Sequence, residues 1–384
     1  MDQLPITLKT WLVSFAPAAF QPLVSAILST AAIIGVFASL FALTTVLERK
    51  GLGRIQNRFG PNRVGPFGFL QPVADGIKAL IKEDIVPRAA DSVVHFLAPL
   101  VLVAPVFLAL AVIPMGRNLV AIDLGSGVLF FFAVGAATEL SVFMAGWSSR
   151  NKYSLLGAMR AIAQMISYEV PLILSSVSVI MIAGSLSTVA IVDSQAGGVA
   201  NWFVFTPWGL AGFILFMIAA AAESNRSPFD LPEGESEIIA GYYIEYSGFK
   251  FALFFLGEYI GMFAVSGMAI TLFLGGWHAP FGFLEWIPSY FWFFGKLLVL
   301  IAGFIWVRGT LPRLRMDQLM NFAWKFMLPM ALVNLVAAGL WHLLGAGVSR
   351  WLICSLVVVG PYILLGRTLF HSNNVGKRIY RYAE

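Results

Sequence analysis

Five carboxylates stand inside or at the ends of apolar runs: Glu48, Glu139, Glu169, Glu223 and Glu258. A charge near the centre of a bilayer costs about 2.5–3.5 kcal/mol or more on insertion scales, so acids placed there have a partner or a task. Burial favours the neutral carboxyl and a nearby arginine favours the ion. A group balanced between the two can take up and release protons, and a row of such groups makes a proton path. The plainer alternative is a set of ion bridges that fasten helices, for which Arg160, Arg226 and Lys296 are available partners. Five such acids in one chain favour conduction.

The stretch ESNRSPFDLPEGESEIIAGYYIE, residues 223–245, adds to them. It holds Glu223, Asp230, Glu233, Glu235, Glu237 and Glu245 against Arg226 alone among basic residues. Pro228 and Pro232 predict a turn before a short helix, on which Glu233, Glu237 and Glu245 share one stripe. Like charges at i and i+4 repel by about 0.2–0.5 kcal/mol per pair, so the stripe does not help the helix by itself. The helix dipole explains acids in the first turn, Glu233, Glu235 and Glu237, but not Glu245. A face lining a polar cavity, or receiving a partner's basic residues, fits better than a solvated one.

Redox and metal chemistry have no foothold of their own. The single cysteine, Cys354, rules out a disulfide framework and any CxxC site for zinc or an iron–sulfur cluster. Four histidines, His95, His278, His342 and His371, are scattered without metal-ligand spacing. No metal ligand and no cofactor bound by this chain are expected.

The elements that must position these acids follow from composition. The 384 residues are 59% hydrophobic and 12% charged, with mean hydropathy +0.83; soluble chains carry about twice that charge. An all-α polytopic membrane protein is predicted, one integral domain over 1–384, because crossing the hydrocarbon takes about 20 apolar residues as a helix. Nine spans are expected near 23–47, 93–115, 126–148, 160–184, 204–223, 250–275, 290–309, 326–345 and 351–370. With alternating topology, 21 of the 25 lysines and arginines fall on one side, and the positive-inside rule makes that side cytoplasmic. The N-terminus then lies outside, and the C-terminus, with its basic tail at 371–384, lies inside. Lys9 precedes the apolar stretch Trp11–Phe20, but Pro17 and Pro22 interrupt it, so an uncleaved lead-in is expected in place of a signal peptide. Topology accounts for the net charge of +5, and nucleic-acid binding is not needed to explain it.

Between the first two spans, residues 66–84 predict an interfacial helix. Leu70, Val73, Ile77, Leu80 and Ile81 fall on one face, and Gln71, Asp75, Lys78 and Lys82 on another. Pro72 suits its first turn. Beside a glycine- and proline-rich approach, it can frame an opening for a lipid-like ligand.

Four long motifs then carry a specific resemblance: LERKGLGRIQNRFGPNRVGPFGFLQPVADGIKALIKED (47–84), GWSSRNKYSLLGAMRAIAQMISYEVP (146–171), AESNRSPFDLPEGESEIIAGYYIEYSGFKFALFFLGEY (222–259) and WVRGTLPRLRMDQLMNFAWKFMLP (306–329). In this order they resemble the H-type membrane subunit of bacterial respiratory complex I, the NADH:quinone oxidoreductase. The resemblance implies a translocase subunit of the cell inner membrane that holds no redox centre. Quinone is the implied substrate, and flavin and iron–sulfur clusters lie in partner subunits. Implied partners are the peripheral-arm quinone-site subunits, small membrane-arm subunits and the lipid bilayer. On this mapping Arg49, Arg58, Arg63, Asp75 and Phe229 are candidates for the quinone chamber or its entrance. Coupling to proton movement would fall to Glu48, Glu139, Glu169, Glu223, Arg226, Asp230, Glu233, Glu235, Glu237, Glu245 and Glu258. Two alternatives stand beside it. One is a homologous subunit of an energy-converting hydrogenase or ferredoxin-linked complex, and the other a free-standing secondary transporter.

Overall fold

The computed structural model describes residues 3–231, 240–345 and 347–372. All regular structure among the described residues is helical. We number the helices α1 (Leu4–Ser14), α2 (Gln21–Ile55), α3 (Gln71–Ile81), α4 (Ser92–Leu110), α5 (Gly127–Gly135), α6 (Ala137–Ser148) and α7 (Lys152–Ala183). There follow α8 (Thr188–Asp193), α9 (Pro207–Glu223), α10 (Gly248–Phe273), α11 (Ser289–Thr310), α12 (Met316–Phe322), α13 (Leu328–Leu343) and α14 (Val348–Ser372). Eight helical stretches are long and apolar enough to cross a membrane, and α9 is a shorter apolar helix of 17 residues. This is a polytopic helical membrane protein.

Each apolar run expected from sequence falls on these helices, with 126–148 divided between α5 and α6 at Ala136, but several helices outrun their run. Asn151 caps α7 by accepting from the Tyr153 amide, so that helix begins eight residues before the predicted 160 and runs for 32. Helix α2 continues to Ile55. Glu48, expected at the end of its span, therefore sits well inside a helix. Thr206 accepts from the Gly209 amide and Pro207 takes the first position of α9.

Helix α10 is the central post: 72% of its apolar window is buried, against 6% for the windows of α2 and α14. Packed around it are α2, α4, α9 and α11. The rim helices keep their apolar side chains outward, as lipid or neighbouring chains require. At one end of the core, Lys296 of α11 donates to the carbonyls of Leu274, Gly276 and His278 at 2.8, 2.8 and 2.9 Å. Its ammonium also lies 4.0 Å from the Trp202 ring centroid. All three ammonium protons are thus used on the last turn of α10 and the bend after it. Lys296 is committed to backbone, and is no partner for the buried acids.

Helix α3 lies against the opposite, basic end. Asp75 pairs with Arg49 of α2 at 2.7 Å, and Lys50 donates to the Phe67 carbonyl at 2.5 Å. Gly68, at φ +77°, brings the chain so close that a Cβ there would lie 2.2 Å from the Pro61 oxygen. With its polar side engaged, the helix turns Leu70, Val73, Ile77, Leu80 and Ile81 outward, all half or more exposed. Of the polar residues, Asp75 is half-buried against Arg49, while Lys78 and Lys82 are exposed.

Candidate functional site

Two polar centres are built into this apolar bundle. The first is an ion cluster where α2, α10 and α11 meet the turn after α9. Glu48, only 5% exposed, takes both Arg226 and Arg308 on its Oε1, with the Arg226 contact at 3.5 Å. Tyr259 of α10 donates to Glu48 Oε2 at 2.6 Å. The Arg226 guanidinium lies 3.8 Å from the Tyr259 ring centroid, a cation–π contact. Burial works against the charge of Arg226, but Tyr259, Glu48 and Glu258 together raise its pKa above the ordinary arginine value. Two cations therefore share the Glu48 carboxylate.

Arg226 is held there by a fixed turn. Gln164 of α7 donates to the carbonyls of Ala222 at 2.6 Å and Phe229 at 2.7 Å, bracing both sides of the bend. Phe229 is buried and packs on Tyr168 at 5.3 Å between centroids. Arg313 donates to the Asp230 carbonyl.

The second centre is a cavity of about 60 Å³ among α4, α5, α6, α7, α9 and α10. Its polar lining comprises Thr138, Glu169, Glu223, Ser224, Asn225, Tyr242 and Glu258, set in an otherwise apolar wall. At roughly 10–15 Å³ per water centre, it has room for on the order of four waters. Tyr242 donates its hydroxyl to Glu258 Oε1 at 3.0 Å. Glu223 buries its Oε2 without a hydrogen-bond partner among the described residues, and lies within electrostatic reach of Glu169 and Glu139. The side chains of Glu139 on α6 and Glu169 on α7 lie within reach of each other. An ionised carboxylate only accepts, so a hydrogen bond between the two requires a proton on one of them. Both side chains are half-buried.

Adjacent residues on α10 serve the two centres. Glu258 faces the cavity and Tyr259 faces Glu48. Successive helix positions point about 100° apart, so one turn of α10 joins both sites.

Other predicted positions are spread more widely. Glu245 accepts from Asn151 at 2.7 Å, a local tie across the α7 N-terminus. Arg58 donates to Gln56 at 2.7 Å, and both it and Arg63 are exposed in the loop before α3. These two arginines converge on neither centre. Glu233, Glu235 and Glu237, with the stripe expected of them, lie outside the described residues. Sequence reasoning missed Arg308, Tyr259, Tyr242 and Gln164. The only signal was local: Tyr259 follows Glu258, and Tyr242 lies in the acidic stretch. Among the described residues, no group of three or more His, Cys, Asp or Glu side chains is arranged to hold a metal ion.

Comparison with known proteins agrees with this architecture. The family model described as NADH dehydrogenase matches residues 28–339. The H subunit of NADH-quinone oxidoreductase from Dehalococcoides mccartyi (strain CBDB1) is 50% identical over 326 residues, 85% of this chain and 88% of its own. The protein of the same name from Geobacillus kaustophilus (strain HTA426) is 50% identical over 290 residues, 75% of this chain and 85% of its own. In Koribacter versatilis (strain Ellin345), the H subunit of NADH-quinone oxidoreductase that carries the number 2 is 43% identical over 343 residues, 83% and 97% of the two chains. With its helical bundle, its buried acids and these matches over most of its length, the chain belongs to the NADH dehydrogenase family, among the membrane subunits of complex I.

Proposed function

We propose that this chain forms the quinone entrance and chamber of a proton-translocating NADH:quinone oxidoreductase together with peripheral-arm subunits, and couples quinone reduction to proton movement. The observation that carries this reading is the contact, through neighbouring residues of α10, between a buried ion cluster and a water-sized cavity lined by three carboxyls. Electrons reach quinone from flavin and iron–sulfur clusters in partner subunits, and this chain supplies none of them.

Three residue groups share the work. Arg49 and Asp75 anchor the outward apolar face of α3 at the entrance, with Arg58 and Arg63 exposed on the approach and Phe229 behind the chamber wall. A change of charge on the bound quinone perturbs the Glu48–Arg226–Arg308 cluster, because Coulomb terms act strongly where water is excluded. Asp230, Glu233, Glu235, Glu237 and Glu245, which share one acidic stretch of the sequence, are the further coupling candidates. Protons then rearrange among Glu258, Glu223, Glu169 and Glu139. The chain sits in the bacterial inner membrane with its basic end, α3 included, in the cytoplasm, its N-terminus outside and its C-terminus inside. Small membrane-arm subunits lie against it.

The test is inhibitor-sensitive NADH:quinone activity in membranes carrying Glu258→Gln, measured beside electron transfer from NADH to a hydrophilic acceptor. The reading requires quinone activity to fall while the acceptor rate holds. If both rates stay at wild-type level, the cavity acids take no part in coupling.

A further inference from the structure

Residues 241–248 join parts of the molecule that no single helix connects. At one end, Gly241 at φ +59° sits against α7, where a Cβ on Gly157 would lie 2.7 Å from the Gly241 Cα. Beside it Tyr242 holds Glu258 through its hydroxyl and accepts from Ser154 of α7 on its carbonyl at 2.9 Å. At the other end, Ser247 Oγ accepts from the Ile85 amide at 2.9 Å and donates to the Glu83 carbonyl at 3.1 Å. Gly248, at φ +58°, would place a Cβ 3.0 Å from the Lys82 oxygen. Just beyond, Lys250 pairs with Asp84 at 2.7 Å. Glu83, Asp84 and Ile85 follow closely on α3. In the middle, the Tyr246 ring stacks on His95 of α4, 3.9 Å between centroids and 5° from parallel, and its hydroxyl lies 3.3 Å from Ser148 Oγ. Burial pushes that hydroxyl up to about 12, so it stays protonated at working pH. His95 is itself fully buried.

We propose that residues 241–248 are a strap through which the position of α3 sets the position of Glu258, with Tyr242 as the positioning residue and the His95–Tyr246 stack as the fixed pivot. The geometry favours transmission over simple bracing. The backbone of the strap is pinned by close glycine contacts at both ends, so a shift of the 82–85 segment is passed along it instead of being absorbed in a loop. Packed interiors respond to such shifts as units, because interdigitated side chains leave little room to relax. Helix α3 turns its whole apolar face outward, so whatever loads that face pulls on the strap. The inference rests on the reading of Glu258 as a proton-carrying acid.

The experiment uses the assembled complex and the pH profile of quinone-dependent NADH oxidation. Ser247→Ala with Lys250→Met cuts the strap from the α3 segment, and Tyr242→Phe removes only the hydroxyl on Glu258. Each cut is expected to lower turnover about two- to tenfold, the range for one lost hydrogen bond, and to move the same limb of the profile. Combined, the three substitutions are no worse than Tyr242→Phe alone, whereas independent sites would multiply their effects. His95→Phe keeps a ring against Tyr246 and leaves the profile where it was. The strap is overturned if the α3 cut leaves rate and profile at wild-type values, or if the effects multiply. A moved profile in His95→Phe overturns the pivot. Tyr242→Phe and Ser247→Ala each delete one oxygen, and loss of assembled complex in either would show a bracing role in place of the proposed one. Glu258→Gln separates the two ideas. If it abolishes turnover while Tyr242→Phe is silent, the strap fails and the acid reading stands. If Glu258→Gln is silent as well, the acid reading itself has failed.

Discussion

Glu48, buried, and Arg308, half-buried and 260 positions away in the chain, form an ion pair that Arg226 and Tyr259 complete. Four separate segments thus depend on one carboxylate. Removing one partner of such a cluster strands the others, at a cost of about 3–5 kcal/mol. Glu48→Gln should therefore lower the thermal stability of the purified complex and its content of this chain. Replacing Arg308 by Met in the same background should restore part of the loss, since the stranded positive charge is reduced. Scanning calorimetry of the single and double variants checks this, and a double variant less stable than the single one would contradict it.

The Glu139–Glu169 contact separates hydrogen bonding from titration. In Glu139→Gln the amide is able to donate to Glu169, but no proton can be exchanged at position 139. Assembly and melting should match the wild type, while proton translocation per quinone reduced falls at least several-fold. Proton uptake in reconstituted vesicles measures it. An unchanged ratio would mean that the pair only fastens α6 to α7.

Two glycines give opposite expectations. A Cβ on Gly157 meets the Gly241 backbone at 2.7 Å, whereas one on Gly261, beside the acid cavity, meets nothing within 4 Å. Gly157→Ala should cost about 1–3 kcal/mol through overpacking. Gly261→Val should fold normally, fill the cavity and suppress quinone-linked turnover without altering electron transfer to a hydrophilic acceptor. Full turnover in Gly261→Val would show that the cavity's water-sized space is not used.

Lys296→Met removes the donor from three carbonyls at the end of α10. Hydrogen bonds to a charged group are worth about 1.5–3 kcal/mol each, so a loss of about 3 kcal/mol or more is expected. A wild-type melting temperature would show that the carbonyls find other donors at no cost.

Helix positions and the outward face of α3 were legible because both rest on local periodicity. Apolar runs of the required length predict helices wherever they occur, and Leu70, Val73, Ile77, Leu80 and Ile81 align by the 100° step alone. The ends of α2 and α7 were less legible, since a helix continues past its apolar run whenever a cap or a paired charge supports it. Asn151 supports α7 in this way, and the arginines around Glu48 support α2.

By itself the sequence determined that the chain is a bundle of membrane helices, that acids lie within them, and that its motifs are those of one family. Such properties depend on residue type and near-neighbour spacing. Only the tertiary structure decided which groups meet. Arg308 reads in sequence as a loop charge but neutralises Glu48, and Lys296, an available partner for acids, is claimed by backbone carbonyls. Tyr242 and Tyr259 become the hydroxyl donors to Glu258 and Glu48. A buried charge takes whichever partner the packing brings within about 4 Å. In a bundle of helices that partner is set by which faces adjoin, a property of the whole chain that no local pattern encodes.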